Sequence, residues 1–175
     1  FIWNKCLSVI LKEKAEDLAK QHIRATLDTS HLGLWYKHFK SPKPGMNEKE
    51  RIEAFQKWYM GQVKEMADAG VDIIELQIPF SDPQADGPFF TKAQQDAVNM
   101  GITTNQCFEF AEKVCSEFPE LNFVFMTYIN IVFKYGISAF VEKAAKVGIK
   151  GIILPDLPIE EADEYIQACE LYKIA

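Results

Sequence analysis

At 175 residues and 48% hydrophobic composition, the chain carries enough apolar surface for one domain with a substantial core. Its formal net charge of −6 and pI near 5.1 argue against nucleic acid or an anionic membrane surface as a partner. The longest apolar stretch, residues 123 to 133, is interrupted by Thr127 and Asn130 and falls short of the roughly 20 residues that a spanning helix needs. No signal peptide is evident.

In chain order, Asn4 opens a helical pattern with Leu7, Ile10, Leu11 and Leu18 on one face, and the alternating strand Ile23, Ala25, Leu27 follows. A loop runs to SPKPG at 41 to 45. Asn47 and Glu50 form a capping-box pair ahead of a helical stripe of Ile52, Phe55, Tyr59, Val63 and Met66, with Gly70 as the residue just past its end. A strand is predicted over Val71 to Ile78, helices over Thr91 to Met100 and Thr104 to Phe118, a strand over Leu121 to Tyr128, and a helix over Ser138 to Val147. A strand over Gly151 to Pro155 and a helix over Glu160 to Tyr172 complete the series.

Strands alternating with helices imply a parallel sheet. Ala67, Gly70, Val71, Ile74 and Leu76 recur 78 positions later as Ala145, Gly148, Ile149, Ile152 and Leu154, an offset equal to two βα units. The fold class is therefore α/β, a single domain over 1–175 built as a partial (βα) barrel of about four parallel units, with the chain reaching the start of a fifth strand. A complete (βα)8 barrel takes roughly 250 residues. Open sheet edges leave backbone groups unpaired, so this half barrel is expected to be completed by self-association, making the protein a homo-oligomer.

Cys6, Cys107, Cys115 and Cys169 show no CxxC pairing. Cys107 and Cys115 fall on one predicted helix, about 12 Å apart at 1.5 Å per residue and too far to bridge. They read as reduced thiols of a cytoplasmic protein.

The chemically informative run is IELQIPFSDPQADGP, Ile74 to Pro88. It sets Glu75 inside an otherwise apolar strand and follows it with a turn holding Asp82 and Asp86. Alternation puts Val71, Ile73, Glu75 and Gln77 on one strand face and Ile74, Leu76 and Ile78 on the other. The apolar face should meet helices, leaving Glu75 to point into the barrel near the strand's carboxyl end, where barrel enzymes place catalytic groups. Apolar walls raise a carboxyl pKa toward neutrality, which suits a group that both gives and takes a proton. The alternative is a structural Glu paired with a cation.

From about Ala67 to Ala175 the stretches ADAGVDIIELQIPFSDPQADGP, FVFMTYINIVFKYG and GIKGIILPDLPIEEAD resemble the tryptophan synthase alpha chain, in that family's order and at about its spacing. The resemblance implies a (βα)8-type lyase that cleaves indole-3-glycerol phosphate to indole and glyceraldehyde 3-phosphate by Glu/Asp acid-base catalysis, with no cofactor. It implies Glu75 as general acid/base and Asp86 as acceptor of the indole N–H. Tyr128 would lie beside the substrate, and Asp82, Asn130 and Asp156 would face a tryptophan synthase beta chain. Read as bare residues, Asp82 is a turn former, Tyr128 a core aromatic, Asn130 a loop residue and Asp156 an Asp ahead of a helix. Gln77 departs from the small residue many members carry there. The family's phosphate-binding loops follow its last strands, so weak or absent activity is expected of this chain alone.

Residues 1–66 do not share this resemblance. IRATLDTSHLGLWYKHF, 23 to 39, is instead similar to a strand of the xylose isomerase-like barrels, whose Asp-x-x-His ending supplies metal ligands, here Asp28 and His31. Two residues do not make a metal site, and a loop histidine is the other reading. The change of character near residues 67 to 70 suggests a composite chain of a 1–66 helix-strand-helix segment and 67–175 alpha-like units. Three functional readings follow: an alpha-type lyase fragment, a catalytically idle half-barrel assembly module, and a metal-dependent sugar-phosphate isomerase-like protein.

Overall fold

A computed structural model describes residues 26–28, 39–40 and 42–175. The helix expected from Asn4, along with Cys6, His31, Trp35 and Tyr36, lies outside the described residues. Four strands form one parallel sheet in sequence order: β1 (Thr26–Asp28), β2 (Ile73–Gln77), β3 (Asn122–Met126) and β4 (Gly151–Ile153). The helices are α1 (Glu48–Asp68), α2 (Pro88–Asn99), α3 (Thr104–Glu117), α4 (Ile129–Tyr135), α5 (Ile137–Lys146) and α6 (Asp163–Tyr172).

Local signals explain most of these boundaries. Asn47 accepts the Glu50 N–H while Glu50 accepts the Asn47 N–H, closing the capping box of α1. At the far end, Gly70 takes φ +84, its N–H reaches the Ala67 carbonyl, and the Val71 N–H reaches that of Met66. The motif recurs 78 residues on, where Gly148 at φ +97 bonds Ala145 and Ile149 bonds Ala144. These are Schellman ends, so the sequence repeat is a repeat of helix-to-strand connections.

Side-chain alternation divides the sheet. Ile74, Leu76, Phe123, Phe125 and Ile152 are buried on the outer face. They join Tyr59 and Val63 of α1, Phe108, Ala111 and Val114 of α3, Phe140, Val141 and Ala144 of α5, and Ala168 and Cys169 of α6 in one core. Phe108 is its hub, edge-on to Phe125 and Phe140 at 5.4 and 5.1 Å. On the inner face the register places Glu75 level with Val124 and Gly151, and Gln77 level with Met126 and Ile153. Ile73 and Ile153 there remain 38% and 43% exposed. After α6, the Ala175 N–H bonds the Lys150 carbonyl and its own carbonyl accepts from Ile152, which is the parallel pairing of an incipient fifth strand.

One stretch departs from expectation. Residues 129 to 135, read as loop, form the short helix α4. The Ile129 N–H at its first turn is satisfied by the Asp156 carboxylate at 2.9 Å, and Gly136 at φ +95 ends it. That capping partner lies 27 residues away, beyond the reach of any local pattern.

Candidate active site

All the acidic and aromatic groups singled out after β2, β3 and β4 emerge at the carboxyl ends of those strands. Glu75 is half-buried on the inner face of β2. Eleven residues later, at Asp86, the chain has crossed a loop anchored at both ends. At its start the Ile78 N–H bonds the Met126 carbonyl and the Phe80 N–H donates to Gln94 Oε1 at 3.0 Å. At its end Asp86, immediately before the N-cap Gly87 and Pro88 of α2, accepts from Gln94 Nε2 at 2.6 Å and from the Tyr128 hydroxyl at 2.7 Å.

Tyr128 follows β3 and is 1% exposed. Its ring stacks on Phe80 with centroids 5.3 Å apart, and its hydroxyl accepts the Ala85 N–H at 3.1 Å while donating to Asp86. Burial, then the hydrogen bond and negative charge of Asp86, push the Tyr128 phenol far above its ordinary value. The phenol therefore stays a proton donor and Asp86 its acceptor. Of the two sequence readings of Tyr128, the structure shows the core aromatic, with the ring buried, and adds that its hydroxyl holds the Asp86 carboxylate.

The remaining candidates disperse. Asp82 is exposed and accepts from the Ser81 hydroxyl, as an Asp in a turn does. Asn130 is exposed in α4. Asp156 is half-buried after β4 and holds the Ile129 N–H, tying the end of β4 to the residue that follows Tyr128. Gln77 donates from Nε2 to Met126 Sδ at 3.3 Å, and its buried Oε1 has no hydrogen-bond partner among the described residues. The side chain thus occupies the inner face that a smaller residue would leave open.

Asp28 ends β1 in register with Glu75, and its proposed co-ligand His31 lies outside the described residues. Among the described residues no group of three or more metal-ligating side chains converges. Cys107, Cys115 and Cys169 are free thiols.

The residue that sequence reasoning passed over is Gln94. It is 2% exposed on α2 between the small buried residues Ala93 and Ala97. The sequence held no local signal for it, because its burial and its contacts come from how α2 packs.

A parallel half barrel with an acid inside its second strand and a second acid, hydrogen-bonded from two other elements, at the strand mouths has the layout of a (βα)-barrel enzyme site. The profile of the tryptophan synthase alpha chain family matches residues 55–175. The chain belongs to that family. It is 56% identical over 113 residues to the tryptophan synthase alpha chain of Syntrophotalea carbinolica, covering 65% of this chain and 44% of that one. It is 40% identical over 169 residues to that of Desulfotalea psychrophila, covering 97% and 57%; this second match runs through the change of character near residues 67 to 70. Among solved structures it is similar to tryptophan synthase from M. tuberculosis, with TM-score 0.64 and 26% identity over 90% of this chain and 55% of that one. The chain thus spans about half the length of the curated relatives it matches.

Proposed function

We propose that this chain supplies the acid-base part of a lyase site that cleaves indole-3-glycerol phosphate to indole and glyceraldehyde 3-phosphate. The observation that carries the reading is the Asp86 carboxylate, fixed at the strand mouths by Tyr128 and Gln94 and preceded on β2 by the inward-facing Glu75. In this reading Glu75 gives a proton to the indole ring carbon that bears the side chain and takes one from the adjacent glycerol hydroxyl. The carbon–carbon bond between them breaks, the hydroxyl carbon becomes the aldehyde, and the ring regains its aromaticity as indole. Asp86 accepts the indole N–H and stabilises the positive charge that protonation places on the ring. No cofactor is required by this chemistry.

The family's phosphate-binding loops belong to later barrel units than the four described. Because remote binding helps drive chemistry at the reacting centre, the 175-residue chain by itself should turn over slowly and speed up when a complementary half barrel is added. Asp82 and Asn130, both exposed, and Asp156 at the mouth suit contact with a tryptophan synthase beta chain. Indole release from indole-3-glycerol phosphate, with and without a beta chain, tests the reading. Glu75→Gln should abolish the signal, and an unchanged rate in that variant would remove the assignment.

A second reading, an idle half-barrel module that pairs with its own copy, draws on the exposed inner-face residues Ile73 and Ile153. Size-exclusion chromatography addresses it: elution as a 20.0 kDa monomer dismisses self-association.

A further inference from the structure

We infer that Gln94 is a positioning residue for Asp86, one amide that staples the two ends of the catalytic loop and selects which carboxylate oxygen is left for substrate. The inference rests on the lyase reading above and assigns a role within that same site. Phe80 and Asp86 stand at opposite ends of the turn-rich segment FSDPQAD, and both bond the same side chain. The Phe80 N–H can only donate, so the atom facing it must be Oε1. That fixes Nε2, the donor, toward Asp86 at 2.6 Å. A flipped amide would set a carbonyl against a carboxylate and an NH2 against an N–H, so each bond enforces the other.

The second donor to Asp86, the Tyr128 hydroxyl, reaches the same oxygen, Oδ2, at 2.7 Å. With two donors from separate elements on one oxygen, the carboxylate cannot turn without breaking both. Oδ1 takes no hydrogen bond among the described residues and is the acceptor left for an indole N–H. Burial to 2% exposure keeps water from substituting for the amide. Gln94 touches neither the reacting carbon nor Glu75 in this scheme; it acts through Asp86 alone.

The test uses the full chain with indole-3-glycerol phosphate, the variants Gln94→Leu and Gln94→Glu, and Glu75→Gln as the control for the lyase reading. Gln94→Leu should lower kcat about 10- to 100-fold, as expected for a lost hydrogen bond to a charged group, while KM moves less than about threefold. Gln94→Glu should be as slow near neutral pH and recover toward the parent as pH falls. The protonated introduced carboxyl can then donate to Asp86 Oδ2 and accept from Phe80 as the amide did, whereas its ionised form faces Asp86 with like charge, with Asp156 the next acid toward Tyr128.

Unchanged kcat in Gln94→Leu overturns the inference, as does a slow Gln94→Glu with no recovery in acid. A rate loss that merely follows the loss of folded protein, read by circular dichroism at each pH, also overturns it. If the parent releases no indole, or Glu75→Gln changes nothing, the lyase reading fails separately. Carbon-13 NMR of the Asp86 carboxyl and hydrogen exchange at the Phe80 amide then decide the Gln94 role. A displaced shift and exchange about tenfold faster or more in Gln94→Leu support it, and both unmoved overturn it.

Discussion

Replacing Tyr128 with Phe isolates one oxygen. The ring is 1% exposed and stacked on Phe80 at 5.3 Å, and Phe keeps both properties. What disappears is a donor to Asp86 Oδ2 at 2.7 Å and an acceptor for the Ala85 N–H at 3.1 Å. A hydrogen bond to a charged group contributes about 1.5–3 kcal/mol when its loss leaves the partner dry. Asp86 is half-buried and Ala85 exposed, so water recovers part of both, and the expected net destabilisation is about 1–2 kcal/mol. Urea unfolding followed by circular dichroism should show a lower midpoint at unchanged slope. In a double-mutant cycle with Asp86→Ala, coupling of about 1 kcal/mol is expected because the bond exists only with both partners present. Indole release should fall about tenfold, less than for loss of Asp86, since Gln94 still holds the carboxylate. Coupling below about 0.3 kcal/mol, with the losses of the two single variants simply adding in the double variant, would refute the claim that the Tyr128 hydroxyl aims Asp86.

Gly148→Ala should destabilise by about 1–3 kcal/mol, measured by urea unfolding, because the residue sits at φ +97 and an added Cβ would stand 2.9 Å from Cys115 Cβ. Cys115→Ala should not rescue it, since that substitution keeps the offending carbon, and Gly70→Ala, with open space around its Cβ at φ +84, should be the milder change of the two. Burial raises the Cys107 thiol to about 12, and burial, partly opposed by the charge of Lys150, raises Cys115 to about 11, from an ordinary value near 9.0. Both are neutral when protonated, so their contribution to stability is complete below that ordinary value and is lost as pH climbs toward the raised ones. Urea midpoints should therefore hold from neutral to about pH 9 and then decline, and iodoacetamide should label both thiols slowly near neutral pH. Asp156→Ala should cost about 1 kcal/mol by orphaning the first N–H of α4, and Asp156→Asn, which keeps an acceptor, should restore most of it in the same unfolding assay.

How far the sequence could be read depended on the range over which each signal acts. The capping box at Asn47, the helix end at Gly70 and its echo at Gly148 are decided within about five residues, and they appear where expected. The two faces of β2 were legible because a period of two is written into Ile74, Leu76 and Ile78. The short helix α4 was missed because its first N–H is satisfied by Asp156 from another βα unit. Gln94 was missed for the same reason. Its value lies in contacts with Phe80 and Asp86, 14 and 8 residues back, and a lone buried glutamine carries no spacing that announces them.

The site candidates divide along the same line. Glu75 and Asp86 could be named from a single run because one is anomalous in its strand and the other closes a turn onto a helix start. In the proposed lyase, what would make Asp86 usable is that its carboxylate is gripped by donors from α2 and from the residue before α4. A turn built from Ser, Asp and Pro has few backbone bonds of its own, here only Asp86 N–H to the Pro83 carbonyl at 3.3 Å. Left to itself it would sample many orientations of the acid, each at a cost in effective concentration at the reacting atoms. The scaffold removes that freedom by tying the loop at Ile78, Phe80, Ala85 and Asp86 to Met126, Gln94 and Tyr128. Those partners sit within a helix, at the end of a strand or at the N-cap of α4, so the precision of the loop is inherited from elements packed on the core. It follows that changes to Gln94 and Tyr128 should reach catalysis through Asp86, while changes at exposed Asp82 should leave the geometry of that carboxylate intact.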